Sequence, residues 1–339
     1  MKANFALVVV LLAINQLYAD ELLHKQESEH GLSGQALVDY VNSHQSLFKT
    51  EYSPTNEQFV KARIMDIKYM TEASHKYPRK GINLNVELPE RFDAREKWPH
   101  CASIGLIRDH SACGSCWAVS AASVMSDRLC IQTNGTNQKI LSSADILACC
   151  GEDCGSGCEG GYPIQAYFYL ENTGVCSGGE YREKNVCKPY PFYPCDGNYG
   201  PCPKEGAFDT PKCRKICQFR YPVPYEEDKV FGKNSHILLQ DNEARIRQEI
   251  FINGPVGANF YVFEDFIHYK EGIYKQTYGK WIGVHAIKLI GWGTENGTDY
   301  WLVANSYNYD WGENGTFRIL RGTNHCLIES QVIATEMIV

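Results

Sequence analysis

Two cysteines stand in the run Cys113-Gly114-Ser115-Cys116-Trp117, just ahead of a stretch with strong helical character. From residue 116 to 133 there is no glycine or proline, alanines are frequent, and Asn134-Gly135 closes the stretch, which predicts a helix. Ser115 is placed to cap it. Cys116 then falls in the first turn, where unpaired backbone N–H groups and the helix dipole stabilise a thiolate. Such a thiol is a poor nucleophile until a histidine takes its proton, and that histidine needs a third group to fix its tautomer and orientation. Of the ten histidines, His24, His30, His44 and His75 lie in a cysteine-free N-terminal stretch. Among the rest, His285 heads the run Ala286-Ile287-Lys288-Leu289-Ile290 just after Gly283, where the edge of a cleft is expected, and Asn305 is the best orienting group. A rival chemistry is thiol–disulfide exchange through Cys113-x-x-Cys116, although no thioredoxin-like βαβ pattern surrounds the pair.

These side chains must be held by larger elements. A helix over 243–253, stopped by Gly254-Pro255, is followed by strands over 286–290, 300–305 and 316–320. The middle of the chain, 151–224, is rich in Cys, Gly, Pro and Tyr and reads as loops held by disulfides. Helices first and strands later predict an α+β protein with two subdomains facing each other across a cleft. No internal repeat interrupts this order.

The 339 residues are 44% hydrophobic, enough for a large core, and the net charge of -7 comes from interspersed acids and bases. That pattern gives no electrostatic footprint for nucleic acid or an anionic membrane. Residues 1–19 read as a signal peptide, with Lys2, an apolar run over 5–14 and Ala19 before Asp20 and Glu21, and no later segment offers a membrane span. All fifteen cysteines lie between Cys101 and Cys326, whereas 20–87 has none. An oxidising compartment with structural disulfides follows, in preference to zinc at Cys149, Cys150, Cys154 and Cys158. The break in cysteine content predicts a removable pro-segment over 20–87, helical over 32–42 and 57–70, ahead of a mature domain over 88–339; the blander reading is an ordinary helical domain. Sequons at Asn134, Asn296 and Asn314 permit N-glycosylation.

Cys113-Gly114-Ser115-Cys116-Trp117, the run 88–95 (Leu-Pro-Glu-Arg-Phe-Asp-Ala-Arg), Gly160-Gly161-Tyr162-Pro163, Asp209-Thr210-Pro211-Lys212-Cys213 and Trp311-Gly312 together resemble the landmarks of papain-family cysteine proteases of the cathepsin B type. The resemblance covers nearly the whole chain. It implies a helical left domain and a barrel-like right domain, with Cys116, His285 and Asn305 as the catalytic set of a thiol endopeptidase made as a zymogen. It also implies disulfides Cys101–Cys130, Cys113–Cys158, Cys149–Cys213, Cys150–Cys154, Cys187–Cys217 and Cys195–Cys202, leaving Cys176 and Cys326 unassigned. Substrate is expected to run past Gly160, Gly161, Tyr162 and Ala286, with Glu329 as the acidic floor of a pocket that takes Arg or Lys. Polypeptides are the implied substrates, and the chain's own propeptide and cystatin-type proteins the implied inhibitors. No metal or organic cofactor is called for, and the implied location is extracellular, as in a gut lumen, or lysosomal.

Three departures from that family follow. Where the family carries Gln as an oxyanion donor, this chain has His110, in Arg108-Asp109-His110. Where the family has Asn-Ser-Trp, it has Asn305-Ser306-Tyr307. These two changes motivate an impaired pseudo-protease as the competing reading. The loop Cys195-Asp196-Gly197-Asn198-Tyr199-Gly200-Pro201-Cys202, within a shortened occluding-loop segment over 187–217, lacks the paired histidines that bind a substrate carboxylate, so endopeptidase action is expected. The stretch 300–313 resembles gut proteases of blood-feeding worms, which points to haemoglobin as a dietary substrate.

Overall fold

A computed structural model of the protein describes residues 31–71, 78–80, 86–200, 202–204, 206, 208–238 and 243–339. The expected signal peptide lies outside these residues, as do His24, His30 and His75. In chain order come α1 (Gly34–His44), β1 (Phe48–Thr50) and α2 (Asn56–Lys61). Helix α1 buries Leu37, Val38 and Val41, the apolar stripe read from the sequence. The continuous helix expected over 57–70 does not form. It breaks at Ala62, and Met65 exchanges both backbone hydrogen bonds with Val284 at 2.8 and 2.9 Å, a pairing that needs extended chain.

Helix α3 (Cys116–Gln132) is buried on every side from Cys116 to Cys130, as an interior helix must be. Helices α4 (Ser143–Cys149) and α5 (Pro163–Asn172) pack beside it. Helix α5 falls inside the middle segment that reads as loop. Pro163 at its first turn was the available signal, and its aromatic, nearly all-round buried sequence hides the helical period. Helix α6 (Glu243–Asn253) occupies the expected residues.

The strands are β2 (Gly232–Leu238), β3 (Val256–Phe263), β4 (Tyr269–Tyr274), β5 (Trp281–Glu295), β6 (Thr298–Ala304), β7 (Thr316–Leu320) and β8 (Val332–Met337). They form one sheet in the order β1-β4-β7-β6-β5-β3-β8-β2, ending on Arg79–Lys80, with Phe92–Asp93 added to β5. Pairing is antiparallel except between β7 and β4 and between β2 and Arg79–Lys80. One core lies against the sheet, around Phe260, Phe266, Trp292, Trp301 and Phe317. A second surrounds α3, with Trp117, Met125, Tyr167 and Leu170, and takes Val284 and Ala286 from β5. The fold is α+β, and its two halves meet where α3 crosses β5.

Disulfides join Cys101 to Cys130, Cys113 to Cys158, Cys149 to Cys213, Cys150 to Cys154, Cys187 to Cys217 and Cys195 to Cys202. Cys149, Cys150, Cys154 and Cys158, the alternative zinc set, are thus all in disulfides. Cys116, Cys176 and Cys326 are unpaired and buried. Asn134, Asn296 and Asn314 are exposed, each in a left-handed turn before glycine.

A buried ion pair ties the halves together: Lys288 Nζ of β5 lies 2.7 Å from Asp127 Oδ2 of α3, and both side chains are sealed from solvent. Removing one partner strands the other in the core, which costs about 3–5 kcal/mol. Lys288→Met is expected to lower unfolding stability by that amount in a urea titration, and adding Asp127→Leu to recover most of it.

Candidate active site

Cys116 opens α3 with its sulfur against β5, where the Ala286 N–H points at it from 3.5 Å. Further along the helix, Ser120 Oγ donates to the Ile287 carbonyl at 2.7 Å. With the Asp127–Lys288 pair, these contacts fix helix against strand in one register. Ser115 holds the capping position, but its hydroxyl bonds the buried Tyr190 phenol at 2.7 Å instead of a helix amide. The strand begins at Trp281, so His285 lies within it instead of at its head.

His285 Nε2 and Asn305 Oδ1 are 2.7 Å apart, and the Ser306 N–H donates to the same oxygen at 2.8 Å. Because that N–H requires an acceptor, the amide oxygen faces the imidazole and Nε2 carries the proton. Nδ1 then holds the lone pair, and it is buried without a partner. The residue next to it in the strand is Ala286, which touches the Cys116 sulfur. A thiol, a base with its tautomer fixed and an orienting amide are therefore gathered at one point.

Tyr307 lies over the imidazole, ring centres 4.7 Å apart and planes inclined by 29°, with Trp311 edge-on behind it at 5.4 Å. His110 reaches the same cluster, 5.9 Å from the His285 ring and 5.7 Å from Tyr307. It is held there because 108–110 pairs with 306–308: the His110 N–H donates to Ser306 O and the Asn308 N–H to Arg108 O. His110 Nδ1 is 2.7 Å from the Cys113 carbonyl, which can only accept. The neutral ring is therefore protonated at Nδ1 and presents a lone pair at Nε2. The donor expected of His110 exists only in the imidazolium form. Burial, with Arg63 and His285 nearby, pushes its pKa well below the usual histidine value.

The segment 56–71 covers this cluster. The Ile64 carbonyl lies against Gly114, and its side chain against Gly283, where a Cβ would collide with it. Arg63 is fully buried, its guanidinium donating to the Phe59 carbonyl at 2.7 Å and lying 3.4 Å from Asp109 Oδ1. Nothing in the sequence singles out Arg63, a lone base in a helix-like pattern. Asp109 is a hub: Ser111 N–H donates to Oδ1, and Cys195 N–H and Asn308 Nδ2 donate to Oδ2. The short Cys195–Cys202 loop is thereby tied to the site and contributes no histidine. Under this cover, burial pushes the Cys116 thiol up to about 12 and the His285 imidazole down to about 4, so both are neutral.

The expected substrate-binding residues have different neighbours. Gly160 faces the cleft, since a Cβ there would meet the Tyr69 ring at 2.4 Å and Met65 at 3.1 Å, and Tyr162 meets Tyr69 edge-on at 5.0 Å. Gly161 instead makes room for the protein's own Trp117 and the Cys154 carbonyl, at 2.6 and 2.4 Å from a Cβ. Ala286 offers its N–H to the thiol. Glu329 is buried, and its carboxylate already accepts from Trp301 Nε1 at 2.9 Å, Gly322 N at 2.6 Å and Asn324 N at 2.9 Å. These three bonds hold the carboxylate in a fixed position beside Trp301.

Residues 88–336 match the profile of the papain family cysteine proteases. A gut-specific cysteine proteinase of Caenorhabditis elegans is 48% identical over 98% of both chains. The chain belongs to the papain family. Cathepsin B-like cysteine proteinase 1 of Haemonchus contortus is 46% identical over 89% of this chain and 88% of its own. Among solved structures, procathepsin B of Trypanosoma congolense superposes with a TM-score of 0.77 at 38% identity, over 89% of this chain and 97% of that one. The protein is thus a cathepsin B-like cysteine protease. No helix among the described residues is long and apolar enough to cross a membrane.

Arg63→Ala removes the cation facing Asp109 and leaves that carboxylate buried with only neutral donors. Truncating one partner of such a pair costs about 2–5 kcal/mol. In the full-length protein the variant is expected to raise the rate of Cys116 alkylation by iodoacetamide about tenfold or more, measured by mass spectrometry.

Proposed function

We propose that this cathepsin B-like protease enters the secretory pathway as a precursor in which 20–87 blocks the cleft, and that once uncovered it cleaves peptide bonds internally through Cys116, His285 and Asn305. The observation that carries this reading is the chain of contacts from the Cys116 sulfur, beside Ala286, to His285 with its Nδ1 free, and on to the 2.7 Å bond with Asn305. The disulfide between Cys113 and Cys158 counts against thiol–disulfide exchange through Cys113-x-x-Cys116.

Once the cover leaves, water and the helix start favour the charged pair. His285 Nδ1 takes the thiol proton, and Asn305 holds the resulting imidazolium in place. The thiolate attacks the carbonyl carbon, and the oxyanion meets the Cys116 backbone N–H. The imidazolium then protonates the leaving amine, giving a thioester, and water activated by the same imidazole hydrolyses it. His110 adds a second oxyanion donor only when protonated, so it assists in acid. Departure of Arg63 removes one cation that disfavours this form.

The cysteine-rich mature region and the N-terminal apolar run support an oxidising destination, extracellular or lysosomal, with glycans at the exposed Asn134, Asn296 and Asn314. The likeness to a gut-specific proteinase of C. elegans and the stretch 300–313 support a digestive role, with haemoglobin as a substrate. Cystatin-type proteins are the inhibitors this reading assigns to the same cleft. The impaired-protease reading rests on His110 and Tyr307, but Tyr307 still shields His285.

Two measurements test these roles. The mature enzyme is expected to turn over an internally cleaved, C-terminally blocked peptide faster than a free-carboxylate dipeptidyl substrate; the reverse order refutes endopeptidase action, and activity surviving in Cys116→Ala refutes the nucleophile. A glutamine donor does not titrate. His110→Gln is therefore expected to raise kcat/KM at neutral pH, by up to about 10²-fold for a gained oxyanion donor, and the gain should shrink as pH falls and His110 in the parent enzyme becomes protonated.

A further inference from the structure

The net charge of -7 conceals one strongly basic place. Residues 212–220 read Lys-Cys-Arg-Lys-Ile-Cys-Gln-Phe-Arg, with four cationic and two large apolar side chains. Lys212, Arg214, Lys215 and Arg220 are all exposed. Phe219 is 88% exposed and Ile216 64%, and Phe219 exceeds every other large apolar side chain among the described residues. None of the four cations is in an ion pair among the described residues, and the Arg220 guanidinium lies over the Phe219 ring at 5.3 Å. Glu183, an exposed acid of the adjoining segment, accepts from the Glu180 N–H at 2.8 Å.

This segment is built to stay in place. Cys213 is bonded to Cys149, and Cys217 to Cys187. The Gln218 N–H donates to the Cys187 carbonyl, and its side-chain amide to the carbonyls of Glu183 and Val186. The Tyr221 N–H returns to the Gln218 carbonyl at 3.2 Å, closing a tight turn with Phe219 and Arg220 at its tip. Arg220 has φ 70, where such turns usually carry glycine or asparagine. An apolar tip this rigid loses little conformational freedom when it enters another phase.

We propose that this disulfide-stapled turn docks the protein onto anionic lipid bilayers, with Phe219 and Ile216 entering the headgroup layer and Lys212, Arg214, Lys215 and Arg220 meeting the lipid anions. The complementarity is of charge and of phase: a soluble polyanion would engage the cations alone and give the apolar tips nothing to enter. Acidic residues elsewhere weigh little, because fields are screened beyond about 8 Å at physiological salt. The surface is independent of the peptide-cleaving site.

The test uses the full chain with Cys116→Ala, sedimented with vesicles of phosphatidylcholine alone or mixed with phosphatidylserine at physiological salt. Binding is expected only to the mixed vesicles and should weaken as salt rises. Each cation contributes roughly fivefold to the partition coefficient, so Arg214→Glu with Lys215→Glu should lower it at least ~25-fold. Ile216→Ser with Phe219→Ser should lower it about tenfold or more while leaving retention on a sulfated-polysaccharide column unchanged. Unchanged circular dichroism and thermal midpoint show that these exposed substitutions leave the fold intact. No binding to the mixed vesicles, or equal binding to both kinds, overturns the proposal. It also fails if the serine variant binds vesicles like its parent, which would identify a site for soluble polyanions.

Discussion

Everything at the site depends on the register between one buried helix and one strand. Helix α3 crosses β5 with Cys116 against Ala286, Ser120 on Ile287 and Asp127 paired with Lys288. The last contact is charged and sealed, so sliding the helix would leave both ions without a partner in a medium that solvates them poorly. Arg128 adds bonds to the carbonyls of Gly254, Pro255 and Thr335 from the same turn of helix. A packed apolar face tolerates small shifts. These polar contacts do not, and they are what bring a thiol from one half of the fold to an imidazole in the other.

In the covered protein, burial makes the thiol and both imidazoles neutral, and the charge in the cleft is the guanidinium of Arg63 opposite Asp109. Several buried polar atoms in this cluster have no partner, among them His110 Nε2, His285 Nδ1, Asn305 Nδ2, Ser306 Oγ and Tyr307 Oη. Folded proteins rarely leave such atoms unsatisfied. Their concentration around one thiol fits groups whose hydrogen bonds are made to a bound substrate or to water when the cleft opens.

The gathering of Cys116, His285 and Asn305 was legible because a thiol at the start of an uninterrupted helical stretch needs a histidine and an orienting amide near it. The α+β order was legible from strands with clear turn residues between them. Helix α5 was not, because a helix buried on nearly all sides loses its periodic signal. The break after Lys61 was hidden for another reason: the helical pattern of 57–70 is real locally, and a partner more than two hundred residues away, Val284, pulls Met65 into extended form. The motif places Gly161 and Glu329 near substrate but says nothing of their neighbours Trp117, Trp301 and backbone amides, because those contacts join residues far apart in the chain.

The pairing of Met65 with Val284 has one more consequence. Strand β5 is bonded to β6 only from Lys288 onward, while ahead of that point its outer side would lie bare. An unpaired strand edge is a template for any extended chain, whether a substrate or a misfolded neighbour. By lending Met65 to that edge, the N-terminal segment already makes the two backbone hydrogen bonds that any other extended chain would have to displace in order to lie there.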